Sequence, residues 1–516
     1  MKVITHYNAI LVGGGIMSST LAVLLKELDP GFKIKIIEKL SSGTQESTGG
    51  LNNAGTGHQG FCELNYTPMD ENGNVDISKA IKVCESFEKS KQFWSFLKET
   101  GKINGDFIHC VPHVSLVHGK EDVEFLKKRY ETMKQVCLFN GMEFSEDINV
   151  IKEWIPLASN GRNESEPIAA TRMKRGTDIN FGHLSSQLLE SLNGIDIEFN
   201  TKVTDLKKIG KLWFVTVDDT FTFTSDFIFL GAGGATLPLL QKSGIPEAKK
   251  YGGFPVSGQW LICENPEVVN KHHGKVYGKA SIGAPPMSQP HLDTRYIDGK
   301  KVLLFGPYAG FSTKFLKSGS WLDLFKSINL KNIGTMLSAG ARNIPLTKYL
   351  IKEIFRSKES KMNVLREYYP NANPDDWKLS VAGQRVQVIK NEDGKGVIEF
   401  GTEIVTSADG SLAALMGASP GASTSVKVIL DVINQCFKSK LETEGWQEKI
   451  QKIIPSHGKP LHEDPEFFKE VEDYTTSQLG LREIGGMRYV KLLNVEPLKY
   501  EPTYVTKMIG LKNKNK

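Results

Sequence analysis

The feature that most constrains the fold is a turn of three glycines, Gly13, Gly14 and Gly15, that joins two apolar segments. Residues 8–12 before the turn are typical of a short buried strand, and residues 16–28 after it predict a helix with one apolar face. Residues 33–37 are rich in isoleucine, predict a second strand and are followed by Glu38. A strand, a helix and a second strand form a βαβ unit with parallel strands, which predicts an α/β fold with a Rossmann-like, doubly wound sheet.

This βαβ unit has the features of a dinucleotide site. Glycines after the first strand allow backbone N–H groups to approach a pyrophosphate at the helix N-terminus, and the acidic Glu38 is placed to accept hydrogen bonds from ribose hydroxyls. The pattern favours Gly or Ala at position 18, where this chain has the small residue Ser18. A glycine turn without a ligand is the simpler alternative, but the two strands, the helix and the acidic residue together favour a nucleotide.

Composition excludes several other classes of protein. The net charge of +5 is small for 516 residues, and the basic residues are dispersed apart from one central region, so no nucleic-acid partner is expected. The six cysteines form no CxxC pair, so neither a disulfide scaffold nor a metal site is predicted. The N-terminus leaves no room for a signal peptide and no apolar run is long enough to span a bilayer, which predicts a cytoplasmic protein.

The length predicts two intertwined domains. Residues 197–203, 212–217, 221–224 and 227–230 predict short consecutive strands of a β-meander, which leads into a second glycine turn and returns the chain to the nucleotide domain. We assign residues 1–85, 170–250 and 375–440 to that discontinuous domain. Residues 86–169 and 251–374 are assigned to a substrate and membrane-facing domain built on an antiparallel sheet, and residues 441–516 to a C-terminal extension on the nucleotide domain with a frayed basic tail.

Small-residue segments spread from residue 13 to residue 424 favour an extended cofactor such as FAD over NAD. The segments beyond the first lie at 47–58, at 231–234 and at 417–424, and the last precedes a predicted helix whose N-terminus can stabilise negative charge on a reduced flavin. The predicted cofactor contacts are Gly13, Gly15, Ile16, Met17, Ser18, Glu38, Lys39, Asn53, Ala54, Gly55, Thr56, Val203, Gly231, Ala232, Gly233, Gly417, Ala418, Ser419, Gly421, Ala422 and Ser423.

Six blocks of sequence, in order along nearly the whole chain, resemble the malate:quinone oxidoreductases, within the D-amino-acid oxidase and glycerol-3-phosphate dehydrogenase type of flavoproteins. They are VGGGIMSSTLA, LNNAGTGHQG, GAPPMSQPHLDTR, LLFGPYAGFSTKFLK, AGQRVQVIK and MGASPGASTS. The resemblance implies FAD as the cofactor, oxidation of L-malate to oxaloacetate, and delivery of electrons to a membrane quinone.

A dicarboxylate substrate needs cations with planar, bidentate reach, and Arg385 and Arg295 are the candidates. Arg385 lies in a segment similar to the glycine–arginine segment that binds substrate carboxylates in the wider superfamily. Oxidation at a hydroxyl carbon is easier when a base takes the hydroxyl proton, and histidine titrates in the suitable range. His291 is the first choice, while His113 and His58 remain rivals.

A quinone acceptor requires contact with a membrane. Residues 314–358 contain nine basic residues and two acidic ones, interleaved with large apolar residues, as in basic amphipathic helices that lie on anionic headgroups. Peripheral association with the inner face of the cytoplasmic membrane is therefore expected, although a pair of ordinary surface helices is the alternative. Two alternatives for the function are an FAD-dependent dehydrogenase or oxidase of another 2-hydroxy acid, such as 2-hydroxyglutarate, and a non-catalytic flavin-binding protein.

Overall fold

The computed structural model describes residues 5–163, 165–279, 289–417 and 421–481. The strands are β1 (His6–Val12), β2 (Ile34–Ile37), β3 (Ile108–Cys110), β4 (His113–His118), β5 (Glu143–Ser145), β6 (Ile168–Met173), β7 (Thr177–Ile179), β8 (Asp196–Glu198), β9 (Val203–Ile209), β10 (Leu212–Val217), β11 (Phe221–Leu230), β12 (Gly252–Cys263), β13 (Lys275–Tyr277), β14 (His291–Ile297), β15 (Lys300–Phe311), β16 (Trp377–Val381), β17 (Arg385–Glu392), β18 (Lys395–Glu399), β19 (Thr402–Thr406) and β20 (Leu412–Gly417).

The helices are α1 (Ile16–Leu28), α2 (Ser78–Glu99), α3 (Lys120–Met133), α4 (Ile148–Trp154), α5 (Pro156–Ser159), α6 (Phe181–Glu190), α7 (Thr236–Ser243), α8 (Pro266–Val269), α9 (Asp323–Ser327), α10 (Ile333–Arg342), α11 (Ile344–Ile354), α12 (Lys358–Tyr368), α13 (Ser425–Cys436), α14 (Lys438–Thr443), α15 (Trp446–Ile453) and α16 (Pro465–Leu479). Among these described helices, none combines the length and the apolar composition needed to cross a bilayer. The mixed α/β class predicted from the sequence is confirmed.

The first sheet contains the predicted βαβ unit. Its strand order is β19-β20-β11-β1-β2-β8, and β1 pairs in parallel with both β2 and β11. Helix α1 covers residues 16–28 as predicted, because Leu21, Leu24 and Leu28 place apolar side chains on the face that packs in the core. The carboxyl ends of β1 and β11 therefore lie side by side, where Gly13 follows one strand and Gly231 the other.

The meander differs from the predicted set of four short strands. Residues 197 and 198 belong to β8, a separate strand beside β2, while β9, β10 and β11 form the antiparallel ribbon. The predicted strands 221–224 and 227–230 are one strand, because Ser225 continues the ladders to both β10 and β1. The polar Ser225 lies between the two predicted strands, but its side chain is buried and its hydroxyl donates to the carbonyl of Phe227.

The second sheet has the order β18-β17-β12-β15-β14-β13-β4-β6-β5, with β16 paired to β12. Its pairings are antiparallel as predicted, except that β13 and β4 run parallel. Strand β12 is central, because it pairs with β15 on one side and with β16 and β17 on the other. This arrangement brings Arg385, the first residue of β17, opposite Val256 of β12.

Candidate functional site

A cavity of about 990 Å³ lies at the carboxyl ends of β1 and β11. This volume is at the upper end of the range for small-molecule sites, as a dinucleotide requires. Its wall comes from segments far apart in the chain, which include the first glycine turn, the loop at 43–53, the second glycine turn, residues 315–329 and the start of β17. In open α/β sheets, ligands bind at the carboxyl ends of the strands, so this cavity is the candidate cofactor site.

Gly13 forms part of this wall, beside the second glycine turn. Its φ of +98° is in the region that favours glycine, and a Cβ atom there would lie 2.6 Å from the carbonyl oxygen of Gly231. The amide of Gly13 donates to the carbonyl of Ile37 at 2.8 Å, which holds the turn against β2. The absence of a side chain thus lets the two glycine turns approach each other and leaves the N-terminus of α1 open toward the cavity.

Glu38 lines the same cavity. Its Oε2 accepts a hydrogen bond from the amide of Gly14 at 2.7 Å, and its Oε1 accepts from the amide of Leu40 at 2.8 Å. These two bonds fix the carboxylate at the end of β2, and each oxygen retains a further lone pair. The position is suited to accept hydrogen bonds from ribose hydroxyls.

Fourteen of the residues predicted to contact the cofactor line the cavity: Gly13, Gly15, Ile16, Met17, Glu38, Lys39, Asn53, Val203, Gly231, Ala232, Gly233, Gly417, Gly421 and Ala422. Ala418 and Ser419 lie outside the described residues. Ser18 and Ser423 are buried and are not in the wall. Ser18 instead packs beneath the second glycine turn, where a Cβ on Gly231 would lie 2.6 Å from its hydroxyl oxygen.

Ala54, Gly55 and Thr56 are also not part of the wall of this cavity. The carbonyl of Ala54 accepts from the ammonium of Lys275 at 2.8 Å, and the hydroxyl of Thr56 lies 2.8 Å from that of Tyr277. Gly55 has a φ of +61°, and a Cβ there would lie 2.2 Å from Nη2 of Arg295. These residues anchor the loop to the second sheet, and Asn53, just before them, reaches the cavity.

Arg385 lines the cavity, as its predicted substrate role requires. The residue is half-buried, and no carboxylate of the described chain forms an ion pair with its guanidinium. Burial lowers the pKa of this guanidinium, and the neighbouring phenol of Tyr277 acts in the opposite direction. A desolvated guanidinium without a protein partner is a strong point of attachment for a carboxylate ligand.

Next to the loop at 53–56, strands β7, β13 and β14 carry a buried cluster of charges. We call it the charge cluster and define it as Asp178, Lys275, His291, Asp293 and Arg295. Side chains alternate along a strand, so His291, Asp293 and Arg295 share one face of β14. The antiparallel register places Lys275 opposite Asp293 and Tyr277 opposite His291. The two lysine and arginine charges are balanced by the two aspartates, which buried charges require.

Arg295 is an internal member of this cluster and not a cavity residue, which corrects its predicted role as a substrate anchor. Its side chain is fully buried, and its Nε lies 2.6 Å from Oδ1 of Asp178. The other two nitrogens donate to the carbonyls of Asn53 and Ile179. Because every nitrogen has a protein acceptor, this guanidinium fixes the loop and the adjoining strand.

His291 and Asp293 form a dyad within the charge cluster. Nδ1 of His291 lies 2.7 Å from Oδ2 of Asp293, and its ring stacks on Tyr277 with centroids 4.1 Å apart and planes at 4°. Trp260 contacts the same ring edge to face. Burial alone would raise the pKa of Asp293, but His291 and Lys275 outweigh burial and hold that pKa below its usual value. The carboxylate is therefore ionised and fixes the orientation of the imidazole.

The Nε2 atom of His291 has no hydrogen-bond partner among the described residues. His291 is not in the wall of the large cavity. Trp260, which contacts the His291 ring, lines a small cleft together with Arg385, and Tyr277, which stacks on His291, acts electrostatically on Arg385. The structure thus brings His291 and Arg385 to the same pair of aromatic side chains.

The rival histidines are less suited to accept a proton. Nε2 of His113 lies 3.1 Å from the amide nitrogen of Thr177, and burial lowers the pKa of this histidine to about 4. Burial, followed by the nearby His113 and His291, lowers the pKa of His58 to about 3. A general base works best with a pKa near the operating pH, so both rings are weak candidates.

The burial of His113 predicts a dependence of stability on pH. Its pKa is about 4 in the fold and 6.5 in the unfolded chain, so the unfolded chain binds the proton more readily. The stabilising contribution is complete above pH 6.5 and is lost as the pH falls toward 4. We expect His113→Phe to remove a slope of up to about 1.4 kcal/mol per pH unit from the free energy of unfolding in this range. Urea titrations at several pH values measure this slope, and His183→Asn, at a partly exposed histidine, is the control. An unchanged slope in His113→Phe would contradict the burial argument.

Sequence reasoning missed Asp178, Lys275 and Asp293. A signal for Asp293 was available, because His291, Asp293 and Arg295 occupy alternate positions in a region predicted to form an antiparallel sheet, and charged residues that alternate in a buried sheet indicate an internal cluster. No local pattern marks Asp178, which lies in the three-residue strand β7, or Lys275, whose partners are distant in sequence.

Solved structures share this fold at low sequence identity. L-α-glycerophosphate oxidase from Mycoplasma pneumoniae with FAD bound aligns with a TM-score of 0.56 and 15% identity over 84% of this chain and 95% of its own. Glycine oxidase from Geobacillus kaustophilus aligns with a TM-score of 0.56 and 13% identity over the same shares of the two chains. The fold, with a nucleotide sheet beside a mainly antiparallel one, is therefore that of the flavoprotein oxidases.

Sequence relatives define the family. The chain matches the malate:quinone oxidoreductase family over residues 5–481. A protein of Exiguobacterium sibiricum named "Probable malate:quinone oxidoreductase" is 54% identical over 93% of this chain and 98% of its own length. A protein of the same name from Lysinibacillus sphaericus is 55% identical over 92% and 98%. The chain belongs to the malate:quinone oxidoreductase family.

Proposed function

We propose that this protein oxidises L-malate to oxaloacetate with FAD in the large cavity and passes the electrons to a membrane quinone. Family membership supports the donor and the acceptor. The observation that carries the proposal for this chain is the guanidinium of Arg385 in the cavity wall, with which no carboxylate of the described residues forms an ion pair. Oxidation of another 2-hydroxy acid is the less favoured alternative, since the relatives are named for malate.

The cavity residues fit FAD in size and chemistry. The lack of side chains at Gly13 and Gly231 lets the two turns of the cavity wall lie close together, and the N-terminus of α1, where Gly15 and Met17 line the cavity, can present backbone N–H groups to a pyrophosphate. The Glu38 carboxylate is held where it can accept hydrogen bonds from the ribose hydroxyls of FAD. Gly417, Gly421 and Ala422, which precede α13, line the same cavity. When bound there, FAD would supply the acceptor for the hydride from C2 of malate.

Arg385 binds one malate carboxylate in a bidentate pair. A planar guanidinium fixes both the position and the rotation of the carboxylate, so it determines which carbon–hydrogen bond faces the cofactor. Because its charge is partly desolvated and no described carboxylate pairs with it, the ion pair with substrate is stronger than a surface pair. Holding the substrate in a reactive orientation lowers the activation free energy of the oxidation.

His291 accepts the proton from the C2 hydroxyl through Nε2. Asp293 holds the other ring nitrogen and stabilises the imidazolium that forms, while Tyr277 fixes the plane of the ring. Lys275, at 3.6 Å from Asp293, keeps that carboxylate ionised before the proton arrives. Asp293 is in this account a positioning residue, since it acts through the histidine.

Quinone is dissolved in the bilayer, so the protein contacts the membrane from the cytoplasmic side without spanning it. The basic and apolar composition of residues 314–358 supports a peripheral contact with anionic headgroups. No nucleic-acid partner is proposed.

Substitution of Arg385 tests this function. We expect Arg385→Ala to raise the KM for L-malate at least about a hundredfold, because a charge-assisted bidentate pair contributes about 3 kcal/mol. Arg385→Lys should recover only part of the loss, since an ammonium cannot form the planar pair. Steady-state rates with malate and with 2-hydroxyglutarate, each with a soluble quinone, provide the measurement. An unchanged KM for malate in Arg385→Ala, or a preference of the wild type for 2-hydroxyglutarate, would contradict the proposal.

A further inference from the structure

Glu63 is a half-buried carboxylate that the proposed chemistry leaves unused. It precedes the single-turn helix Leu64–Tyr66, and its Oε1 accepts hydrogen bonds from the backbone amide and from the side-chain amide of Asn65, the latter at 2.9 Å. No donor of the described chain is bonded to its Oε2. One oxygen of this carboxylate is therefore fixed by the fold, while the other can accept a proton.

The backbone next to Glu63 is held beside the His291 ring. The hydroxyl of Ser115 on β4 donates to the carbonyl of Cys62 at 3.2 Å. Ser115 pairs with Tyr277 of β13, which in turn pairs with His291 of β14, so these three side chains share one face of the second sheet. The segment that carries Glu63 thus lies over the same face as the proposed base.

The electrostatics of Glu63 agree with this proximity. Burial raises the pKa of Glu63 above its usual value, and three groups act in the opposite direction, namely His291, Asn65 and Lys79. A carboxyl group with a raised pKa approaches the range of histidine, and proton exchange is most effective between groups of similar pKa. Besides its neighbour Cys62, the ionisable groups that interact electrostatically with Glu63 are His291, Lys79, Arg129, Tyr66, Tyr277 and Tyr368.

On its other side, the segment that carries Glu63 adjoins the surface at the start of α2. The ammonium of Lys79 lies 5.0 Å from the ring centre of Tyr66, and Lys79 is an exposed residue of the first turn of α2. His291, by contrast, is only 6% exposed, and its Nδ1 is held by the fully buried Asp293. A proton on His291 therefore has no exit through the charge cluster, whereas Glu63 lies between the ring and the surface.

Each oxidation leaves on His291 a proton that must be removed before the next malate reacts. We propose that Glu63 is its acceptor: the Nε2–H bond of the imidazolium breaks, an O–H bond forms at Oε2, and water at the start of α2 then takes the proton. Both side chains return to their starting forms, no electrons move in this step, and one proton is released for each malate oxidised. This inference rests on the proposed function for the substrate and for the role of His291.

The variant Glu63→Gln tests this relay, because glutamine keeps a carbonyl that accepts from Asn65 but loses the proton acceptor. Rapid mixing with malate in weak buffer, with a pH indicator dye, records flavin bleaching and proton release together. In the wild type we expect the two signals to coincide. In Glu63→Gln we expect bleaching within about twofold of the wild-type rate but proton release at least about tenfold slower, since positioned acid–base groups accelerate proton transfer by at least that factor.

Imidazole in solution can replace the missing carboxylate as a proton acceptor. Steady-state turnover with a soluble quinone should be lower in Glu63→Gln, and added imidazole should restore it without accelerating the wild type. Glu63→Asp keeps a carboxylate on a shorter side chain and should show an intermediate delay. Glu143→Gln is the matched control, because it changes a half-buried glutamate of β5 that pairs with Arg172, and it should behave as the wild type.

Simultaneous bleaching and proton release in Glu63→Gln would overturn the relay. A change confined to the KM for malate, with no response to imidazole, would also overturn it, because Glu63 would then act only through its charge or its packing. A wild type whose proton release lags behind bleaching and is accelerated by imidazole would contradict the relay without any variant. Failure of malate to bleach the wild-type flavin would instead overturn the proposed function, and this inference with it.

Discussion

The variant His291→Asn is expected to oxidise malate about 10²- to 10⁴-fold more slowly than the wild type, the usual contribution of a general base. Asparagine retains an N–H that reaches Asp293, so the charge cluster keeps a donor, but the Nε2 acceptor is lost. The effect should appear in kcat with little change in KM, because Arg385 still binds the carboxylate. Rapid-mixing measurement of the rate of bleaching of the flavin by malate isolates this step.

Two further variants distinguish the base from its neighbours. His113→Asn changes a buried histidine on β4 whose Nε2 is already bonded at Thr177, and it should keep most of the bleaching rate. Asp293→Asn should lower the bleaching rate less than His291→Asn does, since it removes the group that orients the imidazole but keeps the Nε2 atom that accepts the proton. If His113→Asn abolished bleaching while His291→Asn preserved it, the assignment of the base would be wrong.

The variant Asp178→Asn is expected to lower the free energy of unfolding by about 3–5 kcal/mol, the cost of removing one partner from buried ion pairs. Asp178 Oδ1 lies 2.9 Å from the ammonium of Lys275 and 2.6 Å from Nε of Arg295, and all three side chains are fully buried. Neutralising this carboxylate leaves two buried cations with one aspartate between them. The loop at 53–55, which both cations hold, should loosen at the same time.

Denaturant unfolding measures the change, with Asp226→Asn as the control. Asp226 pairs with His6 on the surface, where both side chains are about half exposed, and such pairs contribute little. A loss in Asp178→Asn no larger than that in Asp226→Asn would show that the charge cluster does not stabilise the fold.

Local sequence predicted the nucleotide half of the fold well. The βαβ unit is defined by short-range features, namely an apolar strand, a glycine turn and a helix with a clear apolar face, and α1 ends where it was expected. Fourteen of the predicted contacts line the cavity for the same reason, since glycine turns after parallel strands must gather at one edge of the sheet.

Contacts between residues far apart in the sequence determined the features of the site and fold that local patterns did not predict. Arg385 and Arg295 look alike as arginines at or within strands, and only the fold shows that one faces a cavity while the other is enclosed by Asp178 and two carbonyls. The sequence of Ala54, Gly55 and Thr56 resembles a cofactor-binding loop. Small residues leave space for a ligand, but they leave the same space for a buried side chain, which at Gly55 is the guanidinium of Arg295. Strand β11 was predicted as two strands because the polar Ser225 and Asp226 interrupt its apolar run, and only the ladders to β1 and β10 show that it continues.

The visible absorption spectrum of the purified protein, recorded without oxygen before and after addition of L-malate, tests the central claim most directly. We predict flavin bands in the untreated protein, their bleaching by malate, and their return on addition of a soluble quinone. A correctly folded protein that is colourless and does not take up added FAD, or whose flavin bands persist in excess malate, would contradict the account.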